Sequence, residues 1–145
     1  MSSSVHSDTV TEGIRVQVFP DYLPQHSNPD EDQFVFSYRV IITNEGDSWA
    51  KLISRQWIII NADGNREDVR GPGVVGVQPE LDVWEQFEYT SFCPIDTYWG
   101  TMEGSYQMQR EDGEMFEAEI GRFYLAAPPE ALLQTEEIEE ETVEG

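Results

Sequence analysis

The segment 34–43 constrains the fold of this chain more than any other. Large apolar side chains occupy every second position in it: Phe34, Phe36, Tyr38, Val40 and Ile42. Because successive side chains of a β-strand point to opposite faces of a sheet, this spacing places all five on the same face. We therefore expect a central strand with one face in the core.

Six other segments have the composition or alternation of strands and are separated by turn residues. They are residues 13–20, 52–60, 66–69, 84–92, 102–108 and 116–125. The body of the chain has no convincing helical pattern. About seven short strands of this kind predict an all-β fold, an antiparallel β-sandwich.

Three local details of these segments can also be predicted. The contiguous apolar run Trp57–Ile60 predicts a strand end that is covered on both faces. Residues 21–32 contain two prolines and four acids before the next strand and are expected to form a long exposed loop. In the last strand the apolar positions change parity at Gly121-Arg122, which predicts a β-bulge there.

The chain is expected to fold as one domain with two flanking segments. Residues 1–10 are polar and Ser-rich, and we expect them to form a flexible N-terminus. The sandwich is expected to occupy residues 11–127. Residues 128–145 begin with two prolines and become rich in glutamate, so we expect a short helix or a disordered acidic tail.

The net charge excludes several classes of partner. The 145 residues include 29 acidic and 8 basic side chains, which gives a formal charge of −21. Seven of the acids lie from Glu130 onward, and the remaining 22 against 8 basic residues still leave −14. Such a field repels polyanions, so we expect binding neither to nucleic acid nor to anionic membranes.

Cysteine content and hydropathy predict a cytoplasmic location. The single cysteine, Cys93, cannot form an intrachain disulfide and mildly favours a reducing compartment. No apolar run approaches the ~20 residues needed to cross a bilayer. Residues 1–10 also lack the layout of a signal peptide.

The segment Gly71–Gly76 matches the spacing G-x-G-x-x-G. In dinucleotide-binding folds these glycines lead into a helix whose N-terminus holds the pyrophosphate. Here the chain continues into Val77-Gln78-Pro79, which cannot open such a helix, so a Rossmann site is rejected.

A weaker anion site remains possible in this loop, since successive backbone amides can form a nest and arginines can add charge. The candidate residues are Arg66, Arg70, Gly71, Gly73 and Gly76. The alternative is that these glycines only permit a bulge or a tight loop at positive φ.

The sequence predicts no metal site, no catalytic centre and no cofactor. Transition metals favour imidazole and thiolate ligands, and the chain has only His6, His26 and Cys93, with no pair at ligand spacing. A nucleophilic Cys93 would need a nearby base. Its apolar surroundings indicate a small buried hydrophobe.

Four aromatic residues lie next to predicted turns, where core packing alone does not obviously require them: Trp49, Trp84, Tyr98 and Trp99. Exposed aromatic side chains often dominate protein–protein binding, so we expect an unidentified protein partner to contact them. The alternative is that they cap the core at the ends of the sandwich. Unpaired edge strands would also permit a homodimer.

Several collinear blocks of the chain resemble the ApaG family. They are SRQW at 54–57, RGPGVVGVQP at 70–79, FEYTSFCPIDT at 87–97 and GTMEGSYQM at 100–108. The resemblance runs from about residue 13 to residue 125 and implies a fibronectin type III or immunoglobulin-like sandwich. The family often has histidine at the positions of Gln56 and Ser105, and more often a small or polar residue at those of Trp84 and Trp99.

This resemblance also implies a class of function. ApaG-like domains occur appended to an F-box and in a DNA-polymerase-interacting protein, and bacterial members are associated with cobalt resistance and magnesium efflux. We therefore expect a non-catalytic interaction module linked to divalent-cation homeostasis. The alternative is a domain that binds pyrophosphate or a nucleotide through the glycine loop, which has been proposed as a pyrophosphate-binding motif in the family. A phosphate-ester hydrolase is a distant third.

Overall fold

A computed structural model of the protein describes residues 5–131. In that range the chain forms nine β-strands, and two short 3-10 turns lie in the segment predicted to be an exposed loop. The strands are β1 (Ser7–Thr11), β2 (Ile14–Tyr22), β3 (Phe34–Asn44), β4 (Ala50–Asn61), β5 (Arg66–Pro72), β6 (Glu80–Leu81), β7 (Gln86–Ile95), β8 (Trp99–Arg110) and β9 (Met115–Ala126), and the turns are Pro24–His26 and Pro29–Glu31.

The strands form two antiparallel sheets, which confirms the predicted sandwich. One sheet has the order β1-β2-β3-β7, and the other has the order β5-β4-β8-β9. The short β6 pairs with the start of β4. All seven predicted strands are present, and β1 and β6 are additional.

The core lies between the sheets, because every strand turns one face inward. In β3 each alternate side chain from Phe34 to Asn44 is buried, as the period-two pattern predicts. At the centre, the Tyr38 and Trp57 rings lie 5.2 Å apart between centroids and the Trp57 and Phe123 rings 6.0 Å apart, both edge to face. Burial of such side chains stabilises the fold by roughly 1.5–3 kcal/mol each.

The outer faces of the sheets are less covered than the sequence suggested. We predicted that Trp57–Ile60 would be covered on both faces, but only Trp57 is fully buried and the three isoleucines are half-buried. Ile58 and Ile60 lie on the outer face of β4, which no other described element covers, whereas Ile59 faces inward at the open cavity between the sheets.

The predicted β-bulge at Gly121-Arg122 is confirmed. Across β8 and β9, Met102 pairs with Phe123 and Gly104 pairs with Ile120. Two residues of β9 therefore face a single residue of β8 at this point, which is the definition of a bulge. The extra residue allows both Ile120 and Phe123 to reach the core.

The N-terminal segment differs from its prediction. We expected residues 1–10 to be flexible, yet Ser7–Thr11 forms β1 and pairs antiparallel with β2. The sequence gives no apolar alternation here, because the residues that face β9 are Ser7, Thr9 and Thr11, which bond through their hydroxyl groups. At the other end residues 129–131 are helical, and the predicted acidic tail beyond residue 131 lies outside the described residues.

Candidate functional site

One long side of the sandwich is closed by side-chain hydrogen bonds between β1 and β9. The Ser7 hydroxyl donates to the carbonyl of Gly121 at 2.7 Å, and the Thr9 hydroxyl donates to that of Glu119 at 2.7 Å. The Glu119 amide in turn donates to Oγ1 of Thr11 at 3.1 Å. These three bonds replace backbone pairing along the edge of β9, and we call them the hydroxyl ladder.

The opposite long side is open. Its two edges are β5 and β7, each of which has a backbone partner on one side only. Between them lies a cleft of about 240 Å³, which we call the open-side cleft. Its lining residues are Tyr38, Arg55, Trp57, Ile59, Glu67, Val69, Ser91, Phe92, Cys93, Pro94 and Met102.

The open-side cleft continues into a larger hollow of about 450 Å³ toward the hairpin that joins β4 to β5. The two cavities share Ile59, Glu67 and Pro94 as lining residues. Together they form one groove along the open side. The groove runs beside the free edges of β5 and β7, a placement that suits an extended chain able to pair with an edge.

Arg55 is the main charged group inside the cleft. It lies on the inward face of β4, between Trp57 and the glycine segment, and is half-buried. Its Nη1 donates to the carbonyls of Pro72 at 3.0 Å and Gly73 at 2.9 Å. Gly71 makes room for it, because a Cβ at that position would lie 2.9 Å from Nη2 of Arg55.

No acidic side chain balances this charge. Residues 5–131 contain five ion pairs, and none of them includes Arg55. A charge that is partly removed from water is normally paired. The isolation of Arg55 in a chain with 29 acidic residues therefore marks the cleft as unusual.

Three tyrosines bring hydroxyl groups to the interior behind Arg55. The hydroxyls of Tyr89 and Tyr106 are 2.6 Å apart, and Tyr38 faces Ser91 across β3 and β7. Burial raises the pKa of all three phenols, although the nearby Arg55 charge opposes the rise. The hydroxyls thus stay neutral at physiological pH and serve as hydrogen-bond donors.

Cys93 lies at the floor of the cleft and is 3% exposed. Burial raises the pKa of its thiol to about 12, and the negative charge of Glu67 adds to the rise. A protonated thiol is a poor nucleophile. The sequence-based interpretation of Cys93 as a buried hydrophobe therefore agrees with its position.

The structure does not gather the five candidate anion-binding residues into one site. Arg66 lies at the far end of β5, roughly 20 Å from Pro72 at the rise of a strand, and its guanidinium is held by Asp68 at 2.7 and 3.0 Å. Arg70 is exposed and has no hydrogen bond or ion pair among the described residues.

The backbone amides of the glycine loop are largely occupied. The Gly73 amide donates to the carbonyl of Ile53, and Val74 and Val77 exchange amide–carbonyl bonds of 2.8 and 2.9 Å. Val75 at φ 42° and Gly76 at φ 84° form the turn between them. This geometry matches the tight-loop alternative, and anion binding by the loop stays a prediction.

The four candidate aromatic residues lie at two ends of the molecule. Trp84 precedes β7, whereas Tyr98 and Trp99 follow it, roughly 30 Å away along the strand. Trp49 lies at the Trp84 end and is half-buried. The four residues therefore form two separate groups, and partner binding by them stays a prediction.

Trp84 is the most exposed of these four aromatic residues. It is 70% exposed and has a φ of 68°, while its amide donates to the Asn44 carbonyl. A bulky residue in the left-handed region is uncommon and costs conformational energy. Tyr98 is 49% exposed, and Trp99 is half-buried beside Tyr124, with ring centroids 6.3 Å apart.

The described part of the chain gives little support for a metal site or a membrane-spanning helix. Residues 5–131 contain no group of three or more metal-ligating side chains. His6 and His26 are exposed and lie on separate elements. Within the same range, no helix has the length and apolar character needed to cross a bilayer.

Sequence reasoning missed Arg55, although it singled out the SRQW block that contains it. The available signal was parity, since Arg55 shares its side of β4 with Trp57 and Ile59, both of which face inward. An arginine at an inward position of a strand indicates either a buried ion pair or a binding site. Among the described residues no acidic side chain forms an ion pair with Arg55, so the first explanation does not apply.

The fold and cleft define an all-β sandwich protein with one open long side. A family model described as the ApaG domain matches residues 24–110. The chain belongs to the ApaG family, which confirms the resemblance seen in the sequence.

Relatives and solved structures support the same assignment. The chain is 50% identical to Protein ApaG of Anaeromyxobacter dehalogenans over 122 residues, 84% of this chain and 96% of the relative. It is 48% identical to Protein ApaG of Dechloromonas aromatica over the same shares. The crystal structure of a Bordetella pertussis protein described as ApaA matches with a TM-score of 0.77 and 46% identity, covering 87% of this chain and 99% of that one.

Proposed function

We propose that this protein is a non-catalytic module that binds another protein along the open side of its sandwich. The observation that carries the proposal is the contrast between the two long sides. The hydroxyl ladder occupies the edge of β9, whereas β7 has an unpaired edge beside a groove with both polar and apolar walls. Such an edge is a template for an added strand.

The two open-side edges differ in how well they can pair. β5 reads Arg-Glu-Asp-Val-Arg-Gly-Pro, so four of its seven residues are charged and it ends in proline. Charges and proline are the usual devices that prevent strand addition. β7 has one charged residue, Glu88, and its proline, Pro94, lies next to its last residue. It exposes Phe92, which is 61% exposed, next to the cleft. The proposal therefore assigns partner pairing to β7.

The chemistry of the cleft supports binding rather than catalysis. Its single thiol is kept protonated by burial, and burial also raises the pKa of the Tyr38 phenol. The other hydroxyl group of the cleft belongs to Ser91, which faces Tyr38 across β3 and β7. The cleft residues include no histidine that could act as a base. A hydrolase would require an activated nucleophile or a metal-bound water.

We further propose that the family's link to divalent-cation homeostasis operates through the partner. The described residues have no cluster of three metal-ligating side chains, so direct cation storage by this part of the chain has no structural support. A module that binds a protein can still regulate cation movement without ligating the ion itself.

Affinity capture with matched surface variants tests the proposed side. Phe92→Arg places a bulky charge at the mouth of the cleft, and Tyr124→Arg places the same group on β9, where the native side chain is 59% exposed. We expect the wild-type protein and Tyr124→Arg to retain the same partner and Phe92→Arg to lose it. Both variants should keep the wild-type circular dichroism spectrum.

Two results of this capture experiment would contradict the proposal. If Phe92→Arg retained the partner while a Trp84→Ala, Trp99→Ala double variant lost it, the working surface would lie at the ends of the sandwich. If all variants recovered the same proteins as the wild type, the open side would have no part in partner binding.

A further inference from the structure

We infer that the open-side cleft recognises a carboxylate, presented by an acidic residue in an extended segment of the partner protein. Arg55 is the group that would bind it. This inference rests on the proposed function, because it names the feature of the partner that the cleft selects.

The charge of Arg55 is unbalanced. Arg55 is half-buried between the sheets, and its side chain donates hydrogen bonds only to the carbonyls of Pro72 and Gly73. Those two bonds use Nη1, and they are directed toward the loop rather than toward Tyr38 and Ser91. A guanidinium held in place by neutral acceptors is preorganised for an anion that arrives from outside.

The charges in and around the cleft indicate which kind of anion it can bind. The cleft holds one unbalanced cation, and Glu67 lies at its edge. A planar, singly charged carboxylate matches one planar guanidinium, whereas a phosphate group brings a charge approaching two. The formal charge of −14 on the chain before Glu130 also disfavours multiply charged ligands. Hydroxyls of Tyr38 and Ser91 provide further donors in the same cleft.

The lining and extent of the groove indicate the source of the carboxylate. The walls of the cleft combine polar groups with apolar side chains, among them Val69, Phe92 and Met102. The cleft also continues into a hollow nearly twice its volume and runs beside the free edge of β7. An extended peptide can fill this length, pair with the edge and place one acidic side chain on Arg55. A small free acid would leave most of the groove empty.

The test compares two synthetic peptides that differ in one group. One is acetyl-Thr-Val-Thr-Glu-Val-Thr-Lys-amide, and its twin has glutamine in place of glutamate. Titration into ¹⁵N-labelled full-length protein is followed by NMR at the amides of Ser91, Phe92 and Cys93 and at Nε–H of Arg55. We expect the glutamate peptide to shift these signals and to bind at least about tenfold more tightly than its twin.

Two further arms identify the cause and the source. Arg55→Gln should remove the preference for glutamate, while Arg39→Gln, which changes an arginine paired with Glu88 on another face, should keep it. A titration with 3-phenylpropionate represents a free acid and should bind at least about tenfold more weakly than the glutamate peptide. Because Arg55→Gln also removes the loop contacts, the comparison of twin peptides on the wild-type protein remains the decisive measurement.

Each remaining outcome overturns the inference. Equal affinity of the two peptides would exclude carboxylate recognition, yet it would leave binding along the open side intact. Tighter binding of 3-phenylpropionate than of the peptide would make the ligand a small molecule. Absence of any shift with both peptides would also refute it, whereas the proposed function fails separately, through the capture experiment with Phe92→Arg.

Discussion

Each long side of this sandwich brings two edge strands together, but the two sides differ in how the side chains bridge those edges. On one side β1 and β9 lie side by side, and hydroxyl groups of β1 satisfy the backbone edge of β9. On the other side β5 and β7 are separated by a groove with an arginine inside it. A sandwich can therefore close one pair of edges with side chains and keep the other pair available for binding.

The comparison also separates stability from function within one domain. The hydroxyl ladder joins residues more than 100 positions apart and so should contribute to global stability. The open side presents exposed groups such as Phe92. Removing these groups should affect binding more than folding, and three variants test the separation.

The largest effect is expected from removing the hydroxyl ladder. The triple variant Ser7→Ala, Thr9→Val, Thr11→Val loses three hydrogen bonds, each of which contributes roughly 1 kcal/mol. We expect the free energy of unfolding in urea to fall by about 2–3 kcal/mol. Amide exchange of Ser7–Thr11 should also become faster, because β1 loses its contact with β9.

A matched control for the ladder is available on the open side. Thr90→Val changes an exposed threonine of β7 that has no hydrogen bond through its side chain among residues 5–131. Its effect should stay within about 0.5 kcal/mol. A triple variant as stable as Thr90→Val would show that the ladder does not hold the closed side together.

An intermediate effect is expected from Gly121→Ala. A Cβ at this position would lie 2.8 Å from both Oγ of Ser7 and Cγ2 of Thr9, so either these side chains rotate out of the hydroxyl ladder or β1 moves away from β9. We expect a loss of about 1–2 kcal/mol in the free energy of unfolding.

Gly46→Ala is the control for that variant, since its added Cβ would meet Oδ1 of Asn44 at an ordinary 3.4 Å. It should change thermal stability little. Equal melting temperatures for the two alanine variants would mean that the close approach of β1 and β9 carries no energetic weight.

The smallest effect on stability is expected from Phe92→Ala on the open side. Phe92 is 61% exposed, so its truncation removes little buried area. The free energy of unfolding should change by no more than about 0.5 kcal/mol. A loss above 1 kcal/mol in chemical denaturation would instead make the mouth of the cleft part of the structural core, and the contrast between the two sides would weaken.

Much of the fold could be predicted from local patterns. The alternation in β3 identified a central strand, and the change of parity at Gly121-Arg122 identified the bulge. Both signals depend only on side chains a few positions apart. β1 was missed for the same reason, since its hydroxyl-bearing residues have meaning only beside β9.

The candidate site could be predicted only in part. The blocks at 54–57 and 87–97 contain several residues that line the cleft, but the sequence drew attention to the glycines and arginines of the loop instead. Arg66 attracted interest as a charge near Gly71, and the structure shows it bound to Asp68. Which arginine has an acidic neighbour depends on strand register, which a list of residues does not reveal.

By itself, the sequence determined seven of the nine described strands and the two-sheet sandwich, because side-chain alternation is a local property of extended backbone. Only the tertiary structure decided which edges meet. Ser7 bonds to a carbonyl 114 positions away, while Arg55 lines a cleft in which no described acidic side chain, Glu67 included, forms an ion pair with it. Contacts between residues distant in the chain are set by the packing of whole sheets, and that packing separates the closed side from the open one.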